Sequence, residues 1–331
     1  MTLVQIVKGW FSSNLLQQTP RNEGVWDGIQ FTLDDVDGCD YVIVLDRPSE
    51  DKIVHCPPHH VWAVMQEPPN EMFRLIHKGD PSYARIYSSD ERIEGTKYYK
   101  SQPSLAWYVN QDYDYLIKYV PSEKQNNLSW ITSNKQVFRG HRDRMKFLAK
   151  IQGSIDFDLY GVGFQPIDDK WDGLEPYRYS LVIENYRNAF YWSEKLADCF
   201  LAWTMPIYFG CTRIHDYFPN EALINIDIHD PNIVERIREA ICSNSWLRNR
   251  DAIAEARRLV LNRYQLFPFI AGEIQKHESD HPGEIHKIQP ILLPHELRTP
   301  LTPVDRLRNF WRSIVPRKTR QRIAKIRQWF E

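Results

Sequence analysis

Residues 179–227 read YSLVIENYRNAFYWSEKLADCFLAWTMPIYFGCTRIHDYFPNEALINID, and this stretch decides the fold. An apolar run at Leu181–Ile183 gives way to a polar loop holding Glu184, Asn185, Arg187 and Asn188. A helical pattern follows over 193–203, where Leu196, Cys199, Phe200 and Trp203 recur at i, i+3, i+4 and i+7 and form one apolar stripe. Two further apolar runs, Pro206–Phe209 and Leu223–Ile226, complete it. Continuous apolar strands separated by helices indicate a parallel sheet covered on both faces.

The alternation extends in both directions. Strands are expected at Tyr41–Leu45, Val61–Met65, Arg85–Tyr87 and Ile155–Tyr160, and helices at Arg142–Ile151, Pro231–Cys242 and Ser245–Tyr264. The polar segment Ser122–Ser129 (SEKQNNLS) reads as an inter-domain linker. A second break lies at His277–Pro303, where five prolines and four histidines interrupt any regular pattern. The expected organisation is therefore a Rossmann-like domain over 1–121, a second over 122–276, and a connector with a tail over 277–331. Ligands of such sheets bind beyond the carboxyl ends of the strands.

Composition bounds the function classes. The chain has 331 residues, 42% hydrophobic and 26% charged, which is a globular composition and not a disordered one. No run approaches the roughly 20 apolar residues of a membrane-spanning helix. The apolar start MTLVQIVKGWFSSN contains Lys8 and lacks a small-residue cleavage site, which argues against a secretory signal. Five cysteines without a CxxC pair read as reduced, cytoplasmic thiols.

The net charge of -1 conceals an asymmetry. Residues 305–331 carry nine Lys/Arg against two acids, leaving 33 basic and 41 acidic side chains in the first 304 residues. An acidic body does not suit nucleic acid. In the tail, Leu307, Phe310, Trp311, Ile314 and Val315 share a helical face between arginines, and Ile323, Ile326 and Phe330 resume it after Pro316. Basic residues opposite Trp, Phe and Ile suit an interfacial helix on an anionic membrane, so peripheral attachment to the inner face of the cytoplasmic membrane is expected.

The chemistry concentrates at Ser193-Glu194-Lys195. A helix N-terminus attracts anions through free N–H groups and its dipole. Lysine in that first turn opposes the dipole unless an anion binds there. On these residues alone two roles stay open: a phosphate-binding lysine, or a solvated surface lysine behind a serine cap.

The order ENx₅YxSEKLxxxFxxxTMPIYFG resembles the donor-domain signature of the family 10 glycosyltransferases, the α-1,3/1,4-fucosyltransferases. The matching residues are Glu184, Asn185, Tyr191, Ser193, Glu194, Lys195, Leu196, Thr204, Pro206 and Gly210. Upstream, Ser133-Asn134, Arg144-x-x-Phe147 and Ile155–Gly161 resemble further stretches of that family, and Gln66-Glu67-Pro68-Pro69 resembles its acceptor-domain E-P-P motif. Ile183, Ser193 and Trp203 depart from the usual Phe, Thr and small residue.

The resemblance implies a GT-B fold of two Rossmann-like domains and inverting transfer of fucose from GDP-fucose to a glycan hydroxyl, with no metal or other cofactor. It implies that Lys195 and Arg144 offset the charge of the leaving diphosphate, Glu194 takes the ribose hydroxyls, and Asn185 and Tyr191 line the nucleotide pocket. Glu184, Ser193, Ser133 and Asn134 join that pocket, and Glu67 is the expected general base. A lipid-linked surface-polysaccharide precursor is the expected acceptor. The sequence also admits another nucleotide sugar on the same fold, or a catalytically silent adaptor that binds a glycan or a membrane. Two DxD triplets, Asp35/Asp37 and Asp156/Asp158, spell a metal-binding signature of a different glycosyltransferase fold, and His55-Cys56-Pro57-Pro58-His59-His60 has metal-ligand residue types. The first arises readily in a chain this acidic, and the second is better read as a loop leading into a strand.

Overall fold

The computed structural model describes residues 1–10, 14–282 and 287–296. Two sheets dominate it. The first contains β1 (Thr2–Lys8), β2 (Val25–Trp26), β3 (Ile29–Thr32), β4 (Tyr41–Leu45), β6 (Val61–Val64), β7 (Arg85–Ser88) and β8 (Tyr98–Lys100), in the order β2-β3-β1-β4-β6-β7-β8. All its pairings are parallel except β2 with β3. Between β4 and β6, strand β5 (Lys52–Cys56) leaves this sheet and pairs with β14 (Gln289–Leu293). The second sheet orders β9 (Asn126–Ile131), β10 (Asp158–Tyr160), β11 (Tyr177–Ile183), β12 (Met205–Phe209) and β13 (Ile224–Asn225) as β10-β9-β11-β12-β13, all parallel.

The fully apolar strands behave as their composition requires: every residue of β4 and β6 is buried. Helices α1 (Tyr113–Lys118), α2 (Arg139–Ile151), α3 (Glu194–Leu201), α4 (Ile233–Cys242), α5 (Ser245–Arg248) and α6 (Arg250–Leu259) precede the long α7 (Leu266–Asp280). The helix expected over 245–264 is thus split. It breaks at Asn249 and ends in a single π turn, Val260–Tyr264.

Four expectations change. The apolar N-terminal run forms β1, paired with β3 and β4 inside the first sheet. The expected linker contains the start of β9, an interior strand whose Leu128 and Trp130 lie in the core while Asn126 and Asn127 face solvent. Within the same stretch Lys124 is buried, and its ammonium donates to the carbonyls of Glu175 (2.6 Å) and Ala202 (2.8 Å) and to Thr204 Oγ1 (3.2 Å). Finally, α7 crosses the boundary expected at 276 and packs on the first sheet, through Leu266, Phe267, Ile270 and Ile274 against Ile43, Trp62 and Tyr87. Tyr87 donates to Glu273 (3.0 Å), and Tyr41 shares a hydrogen bond with His277 Nδ1 (3.0 Å). Trp107, Val109 and Leu116, expected in the first domain, lie in the core of the second. The chain therefore crosses between the lobes twice.

Residues 305–331, with the expected membrane helix, lie outside the described residues. Among the described residues no helix is long and apolar enough to cross a membrane.

Candidate active site

Side chains and loops at the carboxyl ends of the two sheets meet. Asn188, after β11, donates through Nδ2 to the Ser89 carbonyl after β7 (2.5 Å). The Tyr108 amide donates to Asp198 Oδ1 on α3 (2.9 Å), and Phe73 packs edge-on against Phe138 at the start of α2 (6.1 Å between centroids). This junction holds nearly all the residues singled out from the sequence.

Glu184 follows β11 and is buried. Its carboxylate accepts from the Ser193 amide (2.8 Å) and twice from Ser193 Oγ (2.9 and 2.8 Å). Ser193 caps α3, its Oγ receiving the Lys195 amide (3.4 Å). The Lys195 ammonium lies 3.0 Å from Ser193 Oγ, 3.3 Å from Glu194 and 3.7 Å from Glu184. Gly210 passes over this cluster, and a Cβ there would stand 2.5 Å from Glu184 Cγ. That contact explains why the segment carries glycine at this point.

The network continues to residues that the sequence reading missed. Lys170 pairs with Asp198 Oδ2 (2.8 Å) and Glu194 Oε1 (3.6 Å), and its ammonium lies 5.1 Å from the centre of the exposed Tyr108 ring. Asp198 stands one turn beyond Glu194, a spacing that places both carboxylates on one helix face and was readable. Lys170, in the turn before β11, left no such signal. Burial would lift the Glu194 carboxyl, but Lys195 and Lys170 overcome it and hold it at about 2. Glu194 is therefore an ionised, acceptor-only group, suited to hydroxyl donors. Burial raises Glu184 despite Lys195 nearby.

A second cluster adjoins the first. Arg144, on α2 and only 2% exposed, donates through Nη1 to Asn185 Oδ1 (2.7 Å) and through Nη2 to the Ser133 carbonyl (2.9 Å) and Oγ (3.1 Å). Its fork thus ties the loops after β9 and β11 together, while its buried Nε has no partner. Gly140, in the first turn of α2, abuts that same loop, and a Cβ there would overlap the Asn185 carbonyl oxygen at 1.9 Å. Asn134 is exposed, with its amide against Gly163. Beside Arg144, His141 Nδ1 accepts from the Phe138 amide (3.4 Å). Burial, and then Arg144, Lys135, Lys195 and Arg142, push its pKa down to about 4. These cations lie near the imidazole at the start of α2.

Glu67 follows β6 in the other lobe, close enough to Glu194, Lys195 and Lys135 to feel their charges. Burial and the Glu194 charge raise its pKa, while Lys195 and Lys135 oppose them. Tyr191 is buried between the lobes, and its phenol is pushed up by burial and by Glu184, Glu194, Glu67 and Asp46.

The remaining motifs have local roles. Thr204 Oγ1 donates to the Leu174 carbonyl (2.6 Å). Trp203 lies beyond the far end of α3, its indole N–H on the Tyr119 carbonyl (3.0 Å) and its ring against Arg250 and Arg257. Asp158 accepts from the Tyr177 hydroxyl (2.6 Å), and Asp35 accepts from Gln5 (3.1 Å) and pairs with Lys52.

Residues 121–238 match the family model described as glycosyltransferase family 10 (fucosyltransferase), C-terminal part. The match covers about a third of the chain. It contains Arg144, Lys170, Glu184, Ser193, Glu194, Lys195 and Asp198 and excludes Glu67 and Tyr108. Among curated proteins, the chain is 27% identical over 134 residues to the 4-galactosyl-N-acetylglucosaminide 3-alpha-L-fucosyltransferase 9 of Mus musculus, and equally to that of Homo sapiens. The aligned region covers 39% of this chain and 36% of each relative, so the match spans about a third of their length. A crystal structure of an alpha1,3-fucosyltransferase aligns over 80% of this chain and 91% of its own, with 13% identity and a TM-score of 0.47.

Proposed function

We propose that the protein is an inverting, metal-independent glycosyltransferase of GT-B type that moves fucose from GDP-fucose to a glycan hydroxyl. The observation that carries the reading is the capped start of α3, where the Lys195 ammonium stands beside Glu184, Ser193 and Glu194, together with the Arg144 fork on Asn185 and Ser133, all inside the matched segment 121–238. A leaving diphosphate gains charge as its bond to the sugar breaks, and fixed cations in a partly dry site stabilise that charge. Arg144 contributes through its charge and through the two loops it ties. Lys195, about a quarter exposed, is the cation that a bound phosphate can meet from the solvent side.

Glu67 takes the proton from the acceptor hydroxyl. The hydroxyl oxygen forms its bond to the anomeric carbon on the face opposite the diphosphate, and GDP departs with the electron pair of the broken bond. A carboxylate with a raised pKa is the stronger base for this step. Glu194 accepts from the ribose hydroxyls, with Asn185 and Tyr191 beside it. The acceptor is a surface glycan, in our reading a lipid-linked polysaccharide precursor.

Thermal unfolding with GDP, UDP, ADP or CMP, each with EDTA, tests the donor. A ligand at about 100 times its Kd adds roughly 2.7 kcal/mol, and GDP alone should raise Tm by a few degrees. Stabilisation by a different nucleotide would keep the site and discard the donor. No response to any of them would favour a silent adaptor.

The cationic segment 305–331 is proposed to hold the enzyme on an anionic cytoplasmic membrane surface. Truncation at residue 304 should abolish co-sedimentation with phosphatidylglycerol vesicles and leave GDP stabilisation intact. Equal sedimentation of both forms would sink this assignment.

A further inference from the structure

Glu67 is held from both sides along its main chain. Asp46, buried just after β4 with φ +57, accepts through Oδ1 from the amides of Gln66 (2.8 Å) and Glu67 (3.2 Å). A left-handed backbone at a residue other than glycine is costly and tends to mark a functional constraint. From the opposite side, the Glu67 carbonyl receives a hydrogen bond from His77 Nε2 (2.8 Å). A carbonyl only accepts, so Nε2 carries the proton. Neutral His77, which burial holds down to about 4, then accepts at Nδ1 from Ser88 Oγ (2.8 Å). Pro68 and Pro69 fix the path of the chain beyond.

We propose that Asp46 and His77 are positioning residues for the general base: together they fix the Glu67 main chain so that its carboxylate meets the acceptor hydroxyl in one place. This rests on the reading of Glu67 as the base. With amide and carbonyl both held, only the side-chain torsions of Glu67 remain free. A base displaced by about 1 Å loses on the order of 10²-fold in rate. Burial first, and then the Glu67 charge, raise the Asp46 carboxyl to about 7 against the amides of Gln66 and Glu67 and the Arg47 charge, which lower it. The charged groups facing Glu67 are Glu194 and Lys195 from α3 and Lys135 from the loop after β9. Those facing Asp46 are Glu67 and Arg47.

The test is GDP release from GDP-fucose with a panel of β-galactoside acceptors, followed across pH. Asp46→Ala and His77→Ala should each lower kcat roughly ten- to hundredfold, with KM for GDP-fucose within about twofold. Asp46→Asn keeps the acceptor oxygen and loses the charge. It should hold kcat within about threefold. This conservative variant keeps the proposal testable where an alanine variant does not fold. In a Glu67→Gln background neither alanine substitution should reduce the rate further.

If Glu67→Gln turns over like the wild type, the base assignment fails and the positioning role with it. If Glu67→Gln is slow while the alanine variants lower the rate by the same factor in both backgrounds, Glu67 stands and positioning is refuted. A loss in Asp46→Asn as large as in Asp46→Ala would refute positioning through the Asp46 acceptor oxygen.

Discussion

Glu67→Gln should lower kcat by about 10²–10⁴, the range usual for removing a general base, while KM for GDP-fucose and stabilisation by GDP stay near their wild-type values. The substitution is isosteric, and the hydrogen bonds that hold this residue run through its backbone amide and carbonyl. The fold should therefore survive it. In the wild type the rate should rise with pH through an acid limb lying above the ordinary carboxylate value, because burial and Glu194 lift Glu67. The variant should lose that limb. A rate within a few-fold of wild type would transfer the base role elsewhere.

Lys195→Ala should act on both activity and stability. Loss of the cation from the donor site should cost about 10²–10³ in kcat, the scale seen when one fixed charge-stabilising donor is removed. It should also weaken GDP binding.

The stability effect has a different origin. Lys195 is the cation facing buried Glu184, 3.7 Å away, and its loss leaves that carboxylate with Ser193 and the repelling charge of Glu194. Breaking a fully buried ion pair costs about 3–5 kcal/mol, and the partial exposure of Lys195 reduces this to about 2 kcal/mol at neutral pH. Glu184 already binds its proton more tightly folded than unfolded, and without Lys195 it should do so more strongly. A carboxyl raised by folding favours the folded state as pH falls through its folded pKa. The variant should therefore recover part of its deficit between pH 7 and 5. Urea unfolding at several pH values reads this directly, and a constant deficit would show that Glu184 is not the group left unpaired.

Contiguous features were legible in the sequence and distributed ones were not. The stretch 179–227 displays its strands, its capped helix and its polar loop within fifty residues, because hydrophobic period and capping are local properties. The meeting of Glu184, Ser193, Glu194 and Lys195 followed from that locality. Strand β1 is ambiguous in the sequence because its apolar run stands where a leader would, although Leu3, Val4, Ile6 and Val7 suit a strand. Strand β9 is obscured by the polar SEKQNN that enters it, where Lys124 is buried against carbonyls from two distant segments. Nothing in 266–280 indicates that the helix returns to the first lobe, since its partners Tyr41, Trp62 and Tyr87 lie about 200 residues earlier. Lys170, Asp46 and His77 lack any motif of their own. Each acquires its place only when strand ends from different parts of the chain converge.

The most direct test of the account is isothermal calorimetry of GDP-fucose, GDP-mannose and UDP-galactose in the presence of EDTA, with wild-type protein and Lys195→Ala. We expect GDP-fucose to bind the wild type most tightly and to lose at least tenfold in affinity in the variant. Equal binding of UDP-galactose, or GDP-fucose affinity untouched by the substitution, would contradict it.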